Sequence, residues 1–126
     1  MQTDSMTYFD LHIHTTASDG ALTPTELVKY AVEQEVSVLS ITDHDTIFGL
    51  DEALVAGKEV GVEIISGIEL SVENEDGSMH LLVYGFNHAH KFINEIIANL
   101  RYSRIDRNNR LSPGPQPSLT NGLLCL

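Results

Sequence analysis

Apolar and polar side chains alternate over residues 7–14. Tyr8, Asp10, His12 and His14 fall on one side of an extended chain, and Phe9, Leu11 and Ile13 on the other. That is the period of a half-buried strand. A loop follows over 15–20 and closes on the Asp19-Gly20 turn signal. Thr23-Pro24-Thr25-Glu26 then reads as an N-cap, a proline in the first helical position and an acidic first turn. The helix is expected over about 24–35, with Leu27, Val28, Ala31 and Val32 as its apolar stripe. Residues 36–42 are short, β-branched and strand-like, and run into Asp43-His44-Asp45. Helical spacing returns over about 50–60, where Leu50, Ala53, Leu54 and Ala56 turn to the core and Gly57 and Gly61 mark the end. A third strand is expected over 62–66, then a hairpin of 68–72 and 79–86 around a turn at 74–77, then a helix from about 89 to 110. The order β-α-β-α-β, hairpin, helix predicts an α/β fold built on parallel strands. Residues 112–117, SPGPQP, cannot continue a helix, and 118–126 show no period.

The chain has 126 residues, 42% of them hydrophobic, enough for one domain with its own core and against disorder over most of its length. No apolar run approaches the roughly 20 residues of a membrane span. The first ten residues lack the basic and apolar regions of a signal peptide. Cys125 stands alone, so no intrachain disulfide is expected, and the setting suggested is reducing and cytoplasmic.

Charge changes the picture more. The net charge is −11, and up to residue 100 only Lys29, Lys58 and Lys91 oppose seventeen acids. Such a surface repels duplex DNA and phosphorylated substrates. Bound cations would reverse the sign locally.

Ligand sites of α/β folds gather at the carboxyl ends of the strands. Strand one supplies His12 and His14, which share a face because they are two apart. The loop behind it supplies Asp19, the second strand ends in Asp43-His44-Asp45, and the hairpin carries Glu69 and His80. A lone His-x-His, an Asp-His-Asp or an Asp-Gly is more often a surface pair, a cap or a turn. Their recurrence at successive strand ends is what argues for one metal site. His88 and His90 lie beyond the strands beside Lys91 and are set aside.

The segments HIHTTASDGALTPTELV, ITDHDTIFGL, GIELS and HLLVYGF, spread over about 8–86, resemble the PHP (polymerase and histidinol phosphatase) domain family. They look most like its stand-alone metal-dependent phosphoesterases, which act on nucleoside 3′,5′-bisphosphates or trim short RNA from the 5′ end. The resemblance implies the amino-terminal part of a distorted (β/α)7 TIM-like barrel, with a PHP half-domain over 7–100 and the start of an inserted helix and an irregular tail over 101–126. It implies two or three divalent ions, manganese foremost, with zinc, iron or magnesium as alternatives. By position, His12 and His14 would hold one ion, Glu69 would bridge two, His80 would serve the second, and Asp19 with His44 the third. Asp10, Asp43 and Asp45 would orient the imidazoles. The implied reaction is hydrolysis of phosphate monoesters or short 5′-phosphorylated RNA by ion-activated water, with a small phosphorylated partner and no membrane or duplex DNA. The alternative is a metal-binding or structural PHP module without catalysis.

The family's later motifs, a further histidine and an Asp-x-His pair, have no counterpart after His90. Each ion site is therefore expected to be one ligand short, the activity weak, and an uncovered sheet edge to promote self-association. Arg101, Arg104, Arg107 and Arg110 recur every third residue on the last helix. They read first as a solvated basic face. The functional alternative makes Arg101 and Arg104 phosphate contacts.

Overall fold

A computed structural model describes residues 7–111. The tail expected over 112–126 lies outside the described residues. The elements are β1 (Tyr8–Ile13), α1 (Pro24–Glu33), β2 (Val36–Ile41), α2 (Leu50–Val60), β3 (Glu63–Ile64), β4 (Gly67–Asn74), β5 (Gly77–Tyr84) and α3 (Lys91–Leu111). β1, β2 and β3 form a parallel sheet in that order, and β4 and β5 an antiparallel ribbon. Two successive βαβ units thus produce the α/β architecture expected from the pattern.

The core lies between the sheet and its two crossover helices. Leu27, Val28 and Ala31 of α1 and Ala53 and Ala56 of α2 close over Leu39 and Ile41 of β2 and over Val62. α1 starts where the sequence says it should. Glu26 N donates to Thr23 Oγ1 at 3.3 Å, and Thr23 N donates back to Glu26 Oε2 at 2.9 Å. This capping box satisfies two otherwise orphaned donors. It also holds the Glu26 carboxyl below the usual range, first through the Thr23 backbone bond and then through its hydroxyl. Thr25 N and Oγ1 both donate to Glu52 Oε1, at 3.0 and 2.7 Å, which ties the start of α1 to α2.

Three local expectations are corrected. Val32, placed on the α1 stripe, is 46% exposed, because the buried face of that helix is narrower and contains only Leu27, Val28 and Ala31 beside Pro24. Phe9, expected to face inward, is 69% exposed. Phe9 pairs with Val38 and Asp10 with Leu39, but the next pair is Ile13 with Ile41. Three residues of β1 therefore run against two of β2, and this irregularity puts Asp10 rather than Phe9 on the side of Leu39. The third strand is only Glu63–Ile64, although Ile65 N still donates to Leu39 O at 2.9 Å.

Beyond that point the chain stays close to β2. A Cβ on Gly67 would lie 2.9 Å from both Ile41 O and Thr42 Cγ2, and closer still to Ser40 Oγ, so only glycine lets β4 enter here. Glu69 N then donates to Asp43 O at 3.1 Å and Asp45 N donates to Glu69 O at 2.9 Å, an isolated parallel bridge that sets His44 beside Glu69. β5 returns antiparallel, and Tyr84 donates its hydroxyl to Leu11 O at 2.6 Å, fastening the ribbon across β1. α3 runs without a break through residues 100 and 101. It buries Ile97 and leaves Phe92, Tyr102 and Ile105 exposed. No helix among the described residues is long and apolar enough to cross a membrane.

Candidate metal centre

Five chain segments bring their polar ends to one place. β1 and the residue after it supply His12 and His14, the following loop Asp19, the end of β2 His44, β4 Glu69 and β5 His80. Glu69 is the hub and is only 3% exposed. Its Oε2 lies 3.0 Å from His12 Nε2, 3.0 Å from His14 Nε2 and 3.6 Å from His44 Nδ1, and its Oε1 lies 2.8 Å from His80 Nδ1. On the outer side, Asp19 places Oδ1 3.5 Å from His14 Nδ1 and Oδ2 3.4 Å from His44 Nε2.

Among the described residues, three groups gather donor atoms within 4.8 Å of one another: His12, His14 and Glu69; His14, Asp19 and His44; and His44, Glu69 and His80. The groups share His14, His44 and Glu69, so they form one connected cluster. The rings are packed accordingly, with His14 stacked on His44 at a centroid distance of 4.5 Å and His80 edge-on to His44 at 4.9 Å.

The electrostatics of Glu69 follow from this crowding. Burial pushes its carboxyl up. The His12 contact and the fields of His44, His12 and His80 more than offset that, and its pKa stays below the usual value. The donor chemistry leaves a remainder. A neutral imidazole offers one N–H and one bare nitrogen, so several ring nitrogens here need a proton or a cation. His14 Nδ1 is buried without a hydrogen-bond partner among the described residues. It belongs to the group with Asp19 and His44, and a cation there would give it one. The residues present therefore fit divalent metal.

The carboxylates expected to orient the imidazoles do something else. Asp43, buried, accepts from Thr15 N at 2.7 Å, Thr15 Oγ1 at 2.6 Å and Ser18 Oγ at 2.6 Å. It pins the loop that carries Asp19. Asp45 takes a left-handed backbone conformation, φ 53°, which is strained for a residue with a side chain. It accepts from Ser71 N at 2.8 Å and Arg104 Nη1 at 2.7 Å. Asp10 accepts from the backbone N of His12 at 3.1 Å. None of the three meets an imidazole ring, because backbone, hydroxyl and, for Asp45, guanidinium donors lie nearer to these short side chains.

The two arginines also divide. Arg104 is spent on Asp45 and fastens α3 to the site, whereas Arg101 opens onto a cleft of about 430 Å3 that has His44 in its wall. His88 pairs with Asp51 at 3.0 Å, and His90 accepts from Phe92 N at the start of α3; neither joins a metal group. Sequence reasoning missed Thr15 and Ser18 as partners of Asp43. The hydroxyl-rich TTAS run directly after His-x-His was the available signal.

The sequence model of the PHP domain matches residues 10–117. A 5′-3′ exoribonuclease of Haemophilus influenzae is 46% identical over 99 residues, which cover 79% of this chain and 36% of that protein. A 3′,5′-nucleoside bisphosphate phosphatase of Chromobacterium violaceum is 34% identical over 106 residues, 84% of this chain and 37% of that protein. Among solved structures, a Bifidobacterium adolescentis protein assigned as a metal-dependent phosphoesterase superposes with a TM-score of 0.70 at 34% identity, over 90% of this chain and 41% of that one. The chain thus spans well under half the length of these relatives.

Proposed function

This chain belongs to the PHP domain family, and we propose that it carries the metal centre of a phosphoesterase acting on phosphate monoesters of nucleotides or on short 5′-phosphorylated RNA. The observation that carries the reading is Glu69, a buried carboxylate with four imidazole nitrogens within 3.6 Å. Within the chain we take 7–100 as the PHP part and 101–126 as the start of an inserted segment, with α3 running from one into the other.

His12, His14 and Glu69 would hold one ion, His44, Glu69 and His80 a second, and His14, Asp19 and His44 a third. The mixture of imidazole and carboxylate suits manganese first, and zinc or iron over calcium; magnesium is a further candidate. Bound ions supply Lewis acidity and positive charge, which make water nucleophilic and neutralise phosphoryl oxygens. The chain's own part is positional. The backbone bonds of Glu69 to Asp43 and Asp45 fix the carboxylate that would serve two ions, and Asp43 fixes the Asp19 loop. Arg101 faces the cleft beside His44, where a guanidinium suits a phosphate. In a protein of net charge −11, attraction for a phosphate has to be local. The lone Cys125 fits a cytoplasmic setting.

A second reading, metal binding without turnover, is favoured by Asp19, whose side chain is 65% exposed. The group it joins is the least enclosed, and loss of an ion there would leave a binding module. The outer position of β1 and its exposed Phe9 favour self-association of the chain.

Purified chain with manganese is expected to release phosphate from adenosine 3′,5′-bisphosphate or nucleoside 5′-monophosphates from a short 5′-phosphorylated RNA, and to stop on addition of excess EDTA. Hydrolysis that survives the chelator contradicts metal-dependent chemistry.

A further inference from the structure

Asp45 joins the end of β2 to both β4 and α3. Its Oδ1 accepts from Ser71 N of β4 at 2.8 Å, and its Oδ2 accepts from Arg104 Nη1 of α3 at 2.7 Å. Its own backbone N donates to Glu69 O at 2.9 Å. Ser71 in turn pairs with His80 across the β4–β5 ribbon, and His44 directly precedes Asp45 in the chain. One aspartate therefore ties the backbone at or beside His44, Glu69 and His80. These three residues make up one of the three donor groups. The other two draw on β1 and on the Asp19 loop, which Asp43 holds.

Asp45 does not hold this arrangement alone. Its φ of 53° is a conformation that a residue with a side chain keeps only when its surroundings impose it. Its side chain is 10% exposed, so the charge it carries depends on a partner. Among the described residues that partner is Arg104. Loss of the guanidinium would leave a buried anion with a single amide donor. Turning the carboxylate towards water would relieve that, and would release both the left-handed backbone and Ser71. Arg107, nearly one turn further along α3, donates to Glu73 O instead. It anchors the helix to the same strand without Asp45.

We propose that Arg104 is a positioning residue for the His44–Glu69–His80 group and acts on it through Asp45. This rests on the metal reading above and goes beyond it, because it gives the donor groups separate supports. α3 sets how tightly the ion at His44, Glu69 and His80 is held. The His12–His14–Glu69 group keeps β1 and the bond from Glu69 N to Asp43 O, so it feels the loss of Arg104 far less.

The test adds zinc stepwise to the full metal-free chain and follows the histidine ring resonances by NMR. His12 belongs only to the first group and His80 only to the second, so each ring reports one site. In Arg104→Ala the zinc concentration at half-response of His80 should rise about tenfold or more, as for loss of a group that orients a ligand. That of His12 should stay near native. Arg104→Lys, which keeps a charged donor, should restore most of the affinity, and Arg107→Ala should leave both responses unchanged. The metal-free chain supplies a second readout. In Arg104→Ala the Ser71 amide should exchange faster with solvent, while Ile65 N, bonded to Leu39 O in the sheet, keeps its protection. Equal weakening at His12 and His80, the same loss in Arg107→Ala, or an unchanged Ser71 amide overturns the proposal. If the native chain binds no zinc, a Ser71 amide released by Arg104→Ala would support the tether and count only against the metal reading.

Discussion

Glu69→Gln should strip the protein of most of its metal. The carboxylate lies in two of the three donor groups, and its two oxygens meet His12, His14, His44 and His80. An amide of the same shape keeps the packing but donates poorly to a cation. Removal of groups that merely orient a ligand costs about 10–100-fold in metal affinity, and removal of a shared ligand should cost more. Metal analysis after gel filtration reads the result directly. Retention of the native metal content would remove Glu69 from the bridging role. The same substitution alters the acid response of the metal-free chain. The folded pKa of Glu69 lies below its ordinary 4.5. Its stabilising contribution is therefore present above that ordinary value and is lost as pH falls through the lowered folded one. The acid midpoint followed by circular dichroism should be less dependent on this site in Glu69→Gln.

Asp43→Ala is expected to cost about 3 kcal/mol of stability, because it leaves the buried Thr15 N and Thr15 Oγ1, and the part-buried Ser18 Oγ, without the carboxylate they donate to. That is a large part of the 5–15 kcal/mol of a typical domain. The Asp19 loop would be released with it, so metal affinity should fall although the Asp43 side chain touches no proposed ligand. Denaturation in urea should show a lower midpoint at unchanged slope. Asp43→Asn should lie between, since one amide oxygen still accepts while the amide nitrogen faces a donor. If Asp43→Ala unfolds at the native midpoint, the loop is held by something other than this carboxylate.

Much of the fold was legible because it rests on local periods. The β-branched run before Asp43, the Thr23-Pro24 helix start and the hairpin around 74–77 are set by neighbours in the chain, and each element forms where its pattern predicts. His12 and His14 meet the same Glu69 oxygen, as a spacing of two on a strand implies. Phe9 was not legible, because the mismatch of three residues against two depends on the partner strand and period alone carries no register. Val32 fits the helical stripe, but whether anything packs on that flank is a tertiary fact. The place of Glu69 at the centre came from family resemblance; its spacing to His12 and His14 carries no such information. Asp43 and Asp45 are near the histidines in sequence, which suggested ring contacts, yet the donors they meet, Thr15, Ser18, Ser71 and Arg104, come from distant segments.

Six side chains from five chain segments are expected to bind divalent ions as one cluster. Titrating the metal-free native chain with manganese by calorimetry, with elemental analysis of the loaded protein, tests this most directly. At least two equivalents should bind per chain, falling to one or fewer in His12→Ala/His14→Ala. Native protein that binds no manganese, zinc or iron, or a double variant that keeps the native stoichiometry, would contradict it.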